Sequence, residues 1–67
     1  MDSTIPLTPR EREVVREVAF GLRNAEVAER LQMRPGTVHK HLEHIFRKLR
    51  VRSRTELSGH ALRLGIV

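Results

Sequence analysis

The sequence predicts an all-α domain of four short helices. Three observations carry this. Helix-start signals recur along the chain: Thr8-Pro9 with Glu11, then Pro35, then Ser53 with Glu56. Apolar residues after each signal fall at helical rather than alternating spacing. No run reads as a strand, an internal repeat or a low-complexity tract. The 67 residues make one small domain, and a chain of this size buries only about 60% of the surface its unfolded form exposes. The expected architecture is therefore a single layer of helices around one small core. A monomer of this kind is marginal in stability, so a partner that completes the core fits the size.

The first helix opens at "LTPRERE", where Thr8 is a good N-cap and Pro9 suits the first helical position. Glu11 lies three residues after Thr8, which makes a capping box, and Leu7 can staple onto the first turns. Val14, Val15, Val18, Ala19 and Leu22 follow as the inner face, and Gly21 permits the left-handed residue that ends a helix. "NAEVAERL" is the second helix, with Asn24 expected as its cap and Val27, Ala28 and Leu31 inside. Barely two turns long, it persists only by packing on neighbours. After a turn of about four residues Pro35 starts the third helix, and two helices so joined form a helix-turn-helix pattern.

On the third helix, at about 100° per residue, Val38, Leu42, Ile45 and Leu49 fall within about 60° of arc, with Phe46 beside them. Gly36, Lys40, Glu43, His44 and Arg47 lie opposite, and His39 flanks them, so the outer face is almost entirely charged or hydrogen-bonding. The fourth helix is capped by Ser53 in a second expected capping box with Glu56. Leu57, Ala61 and Leu64 face inward, and Gly65 closes the helix with Ile66 folding back. Leu62 points off the inner stripe beside Ser58 and Gly59. It is either a place where a second helix approaches or a solitary surface leucine.

The net charge is +5, and all basic residues but Lys40 and Lys48 are arginine. With an isoelectric point near 11.4, this balance suits a polyanionic partner. Two aromatics, Phe20 and Phe46, are too few for the stacking platforms that hold single strands. There is no cysteine, hence no disulfide or thiolate metal site. No apolar run approaches the roughly 18 residues of a membrane span, and "MDSTIP" lacks the regions of a signal peptide. The default compartment is cytoplasmic, and residues 1–6 read as a flexible leader or linker ahead of a domain over 7–67.

"LTPREREVV", "GLRNAEVAERLQM", "TVHKHLEHIFRKL", "VRSRTEL" and "ALRLGIV" together resemble the LuxR/FixJ-type helix-turn-helix DNA-binding domain of bacterial transcriptional regulators. The likeness runs from Leu7 to Val67 without gaps. It implies a four-helix LuxR-type fold whose third helix (about 35–50) enters the major groove, whose second helix braces it, and whose fourth (about 54–64) forms a dimer. Base contacts are implied at His39, Lys40 and Glu43, and backbone contacts at Arg23, Asn24, Thr37, Lys48 and Arg54. Ser58, Gly59 and Leu62 fall on the dimer-forming helix. The implied partners are double-stranded DNA with an inverted-repeat operator, a second copy of the chain, either free or only on DNA, and RNA polymerase. Arg34 stands where the family usually has Ser or Thr, and both His39 and Ala25 stand where it usually has lysine.

The residue chemistry suits this. Arg47, Lys48, Arg50, Arg52 and Arg54 form a basic cluster fit for phosphates, which His44 adjoins; its bland alternative is a solvated helix end favoured by the dipole. Lys40 can donate to guanine O6 and N7, Glu43 can accept from cytosine N4, and His39 can donate to guanine. A histidine contact would tighten binding on acidification. His41 and His44 could share a metal, but two histidines without a third ligand make a poor zinc site; His39 lies on another face. Neither metal, cofactor nor small molecule is expected. No phosphate loop, carboxylate pair or nucleophile–base set appears, so an enzyme is not expected. The rival reading is a protein-binding module of sigma region 4 type that contacts the transcription machinery.

Overall fold

The computed structural model describes residues 6–66, and four helices account for most of them: α1 (Pro9–Ala19), α2 (Asn24–Leu31), α3 (Pro35–Leu49) and α4 (Arg54–Leu64). No strand occurs among the described residues. Of the leader expected over 1–6, all but Pro6 lies outside the described residues. α1 begins as its sequence dictates. Thr8 Oγ1 accepts from the Glu11 N–H at 3.1 Å, and Glu11 Oε1 accepts from the Thr8 N–H at 2.9 Å. These bonds satisfy two of the donors that a helix start would otherwise leave open.

Three helices end the same way. Gln32, Arg50 and Gly65 are left-handed, with φ of 57°, 57° and 74°. The next residue, Met33, Val51 or Ile66, donates its N–H back to Ala28 O, Phe46 O or Ala61 O at 2.8–3.0 Å. In each case that residue is apolar and packs against the core, as a Schellman ending favours.

Four local expectations need correction. α1 stops at Ala19, so Leu22 reaches the core from a loop, beyond Gly21 with φ of 92°. Asn24 is not the cap of α2 but its first residue; the cap is Arg23, whose N–H donates to Glu26 Oε1 at 2.8 Å. Asn24 already stands inside the helix, and its Oδ1 accepts from Arg54 instead. The α2–α3 turn has three residues, 32–34, rather than about four. At α4, Ser53 Oγ caps the Glu56 N–H, but the Glu56 carboxylate accepts from the Arg52 N–H at 2.7 Å, one residue beyond the expected box.

The core is Leu7, Val14, Val15, Val18, Val27, Ala28, Val38, Leu42, Ile45, Leu49, Val51, Leu57 and Ala61. α1 touches all three other helices, α2 packs on α3, and α4 packs on α1. Each large side chain so buried contributes about 1.5–3 kcal/mol, against a backbone ordering cost of about 1–2 kcal/mol per residue. The consequence for function is that α3 is held along one face and presents the other.

Candidate nucleic-acid interface

Behind α3, Val38, Leu42, Ile45 and Leu49 are buried. In front, Thr37, His39, Lys40, Glu43, His44, Arg47 and Lys48 are all exposed, and His41 is half-buried at the edge. The structure thus brings the expected base-reading residues together on one exposed face. They are not independent. His39 Nε2 lies 3.5 Å from Glu43 Oε2, one helical turn away, so each of these two groups bears on the other's hydrogen bonding.

Lys48 is placed differently from its neighbours. Its Nζ donates to Glu11 Oε1 at 2.8 Å, and Glu11 is only 5% exposed. Burial pushes the Glu11 carboxyl up. The Lys48 hydrogen bond, the Thr8 backbone N–H and the Lys48 charge outweigh it, so the group sits below its ordinary value of 4.5. One carboxylate therefore caps α1 and tethers the last turn of α3.

Arg23, Asn24 and Arg54 flank the face. Arg54 Nη1 donates to Asn24 Oδ1 at 2.7 Å and Nη2 donates to Leu22 O at 2.6 Å. The start of α4 is thereby tied to the start of α2. Asn24, His39, Leu42, Glu43, Phe46 and Arg54 line a recess of about 210 Å³ along the flank of α3. A more open one of about 450 Å³ lies between the end of α1, the loop that leads into α2 and the start of α4. On α4, Ser58 and Gly59 are half-buried and Leu62 is 68% exposed.

Other arginines serve the fold. Arg10 pairs with Glu13 and reaches Leu31 O, Arg30 pairs with Glu17, and Arg16 reaches Ile66 O. Sequence reasoning missed Glu11 as the partner of Lys48 and Arg54 as a clamp on Asn24. Only the capping position of Glu11 signalled its burial. It also left Phe20 unassigned, and Phe20 is 72% exposed at the end of α1. Among the described residues no group of three or more His, Asp or Glu is placed to hold a metal. No described helix is long and apolar enough to cross a membrane.

Comparison with known proteins identifies the family. Residues 5–61 match the family described as bacterial regulatory proteins, luxR family. The chain is 44% identical over 62 residues to the transcriptional regulatory protein LnrK of Bacillus subtilis, covering 92% of this chain and 28% of LnrK. It is 42% identical over 62 residues to the transcriptional regulatory protein YxjL of the same organism, again covering 92% of this chain and 28% of the relative. It is 42% identical over 50 residues to the nitrate/nitrite response regulator protein NarL of Escherichia coli, covering 75% of this chain and 23% of NarL. The chain thus spans about a quarter of the length of these relatives. Its family is one of regulators rather than enzymes, and by the match of most of its length this chain belongs to the luxR family of bacterial regulatory proteins, as a helix-turn-helix DNA-binding domain of that family.

Proposed function

We propose that this domain reads double-stranded DNA by sequence, as the cytoplasmic output module of a bacterial transcriptional regulator. α3 lies in the major groove, where His39, Lys40 and Glu43 meet base edges. Arg23, Thr37, His44, Arg47, Lys48 and the Arg54–Asn24 pair lie along the phosphates. Two copies meet through α4 at Ser58, Gly59 and Leu62 on an inverted repeat. The observation that carries this reading is the two-sidedness of α3. Its buried stripe fixes the helix rigidly against the core, while its outer face offers donors, acceptors and positive charge. Lys40 offers donors for guanine, and Glu43 accepts from cytosine. Glu43 also repels phosphate and so penalises misplaced registers.

Selection from a random duplex library tests this, with Lys40→Ala and Glu43→Ala alongside the unaltered chain. An inverted repeat is expected. Each variant should relax preference at one position per half-site, losing about 1–3 kcal/mol of discrimination there. Enrichment of no sequence, or preferences untouched by both substitutions, would overturn base reading by α3.

A further inference from the structure

We propose that Arg54 is a positioning residue for DNA binding, acting on phosphate through Asn24. The inference deepens the DNA-binding reading above and rests on it. Arg54 is the first residue of α4, yet its two terminal nitrogens each donate a hydrogen bond across the fold, one to the first residue of α2 and one to the loop before it. Nη1 donates to Asn24 Oδ1 at 2.7 Å, and Nη2 donates to Leu22 O at 2.6 Å. The partners are 30 and 32 residues away, so the clamp spans the fold.

The chemistry fixes the direction of the carboxamide. Arginine has donors and no acceptor, so it can bond only the oxygen of Asn24. The Asn24 Nδ2 must then point away from the guanidinium. Asn24 also opens α2, where the helix dipole and first-turn N–H groups favour an anion. Arg54 and Asn24 both line the recess beside His39 and Glu43, so the outward amide lies on the flank of the reading face. The Leu22 bond holds the loop that carries Arg23. Fixing one amide orientation removes the alternative in which oxygen faces phosphate, and that fixing is what Arg54 contributes.

A positioning role differs from a charge role in what lysine can replace. Lysine satisfies a phosphate as a point charge but cannot span two acceptors with a planar fork. Binding to a mixed-sequence duplex is measured by fluorescence anisotropy across a salt series, with the folded state of each variant checked by circular dichroism. Arg54→Lys is expected to weaken binding about tenfold, with the slope of log affinity against log salt unchanged because the charge is kept. In an Asn24→Ala background the same change should add less than about twofold. Arg54→Lys binding as tightly as the unaltered chain, or losses that simply add, would overturn the proposal.

Asn24→Asp supplies a test that does not depend on the lysine variant folding. Aspartate strengthens the bond to Arg54 while replacing the outward donor with an acceptor. Binding should fall by about tenfold or more with no loss of thermal stability. Unchanged binding by Asn24→Asp would sink the idea. If the unaltered chain does not bind the duplex at all, the DNA-binding reading fails and this inference falls with it. If Lys40→Ala relaxes specificity but Arg54→Lys is silent, only this inference fails.

Discussion

Lys48 shows how one side chain can belong to both the fold and the proposed site. It stands among exposed basic residues at the end of α3, yet its ammonium is 2.8 Å from a buried carboxylate. Lys48→Met would leave Glu11 with the Thr8 N–H but without its cation, and a buried charged acceptor stripped of a partner costs about 1–3 kcal/mol. Urea denaturation should show that loss at neutral pH. Glu11→Gln is the milder change, since the amide still accepts from Thr8, and it separates charge from shape. The carboxyl of Glu11 sits below its ordinary value when folded. Its contribution is therefore complete above the ordinary carboxylate range and is lost as pH falls through the folded-state value. The stability gap between the unaltered chain and Glu11→Gln should narrow as pH falls below about 4.5; a gap independent of pH would show that the charge of Glu11 is not involved. At this scale the sequence was a partial guide. The exposed face of α3 was legible because helical geometry alone places His39, Lys40, Glu43 and Arg47. The pairings of Lys48 with Glu11 and Arg54 with Asn24 were not, since they join residues 37 and 30 apart and depend on how helices pack.

Among the helices, ends decide what is well made and what is not. α1 and α4 start on Thr8 and Ser53, each with a side-chain oxygen on the third N–H. α3, the helix that carries the proposed reading face, starts on Arg34, which makes no side-chain cap. Arginine has no acceptor, so it cannot cap. Pro35 sets the first helical φ and removes one open donor, which partly compensates. Arg34→Ser keeps the extended backbone that the cap requires, at φ −87° and ψ 150°, and adds an acceptor. It is expected to stabilise the domain by about 0.5–1 kcal/mol, seen as a higher midpoint in thermal or urea unfolding. No gain would mean that Pro35 and packing already fix this end. Starts were legible where capping chemistry was present, and Gly65 announced the end of α4. Gln32 and Arg50 gave no such signal, because nothing in a glutamine or arginine marks a left-handed position. Their conformation is imposed by Met33 and Val51, which must fold back onto the core.

For the whole molecule, size and charge set the terms. The core is small, α4 packs chiefly on α1, and α4 leaves Leu62 68% exposed beside the half-buried Ser58 and Gly59. An exposed leucine next to small residues lets a second helix come close, and a two-fold contact of this kind uses the same patch on both copies. Such symmetry would match an operator whose half-sites repeat in inverse orientation. Leu62→Glu separates this arrangement from a domain that reads DNA alone. The side chain contributes little to the monomer core, so thermal stability should hold within about 0.5 kcal/mol. If α3 alone reads an isolated half-site, binding to it should change less than about twofold. Binding to a full inverted repeat should weaken by about tenfold or more, because linkage between the two copies is lost, and the binding curve should lose its cooperativity. Equal effects on half-site and full site would place Leu62 outside the contact between copies. An unchanged full-site affinity would show that α4 does not join them, and the inverted-repeat arrangement would then need another surface.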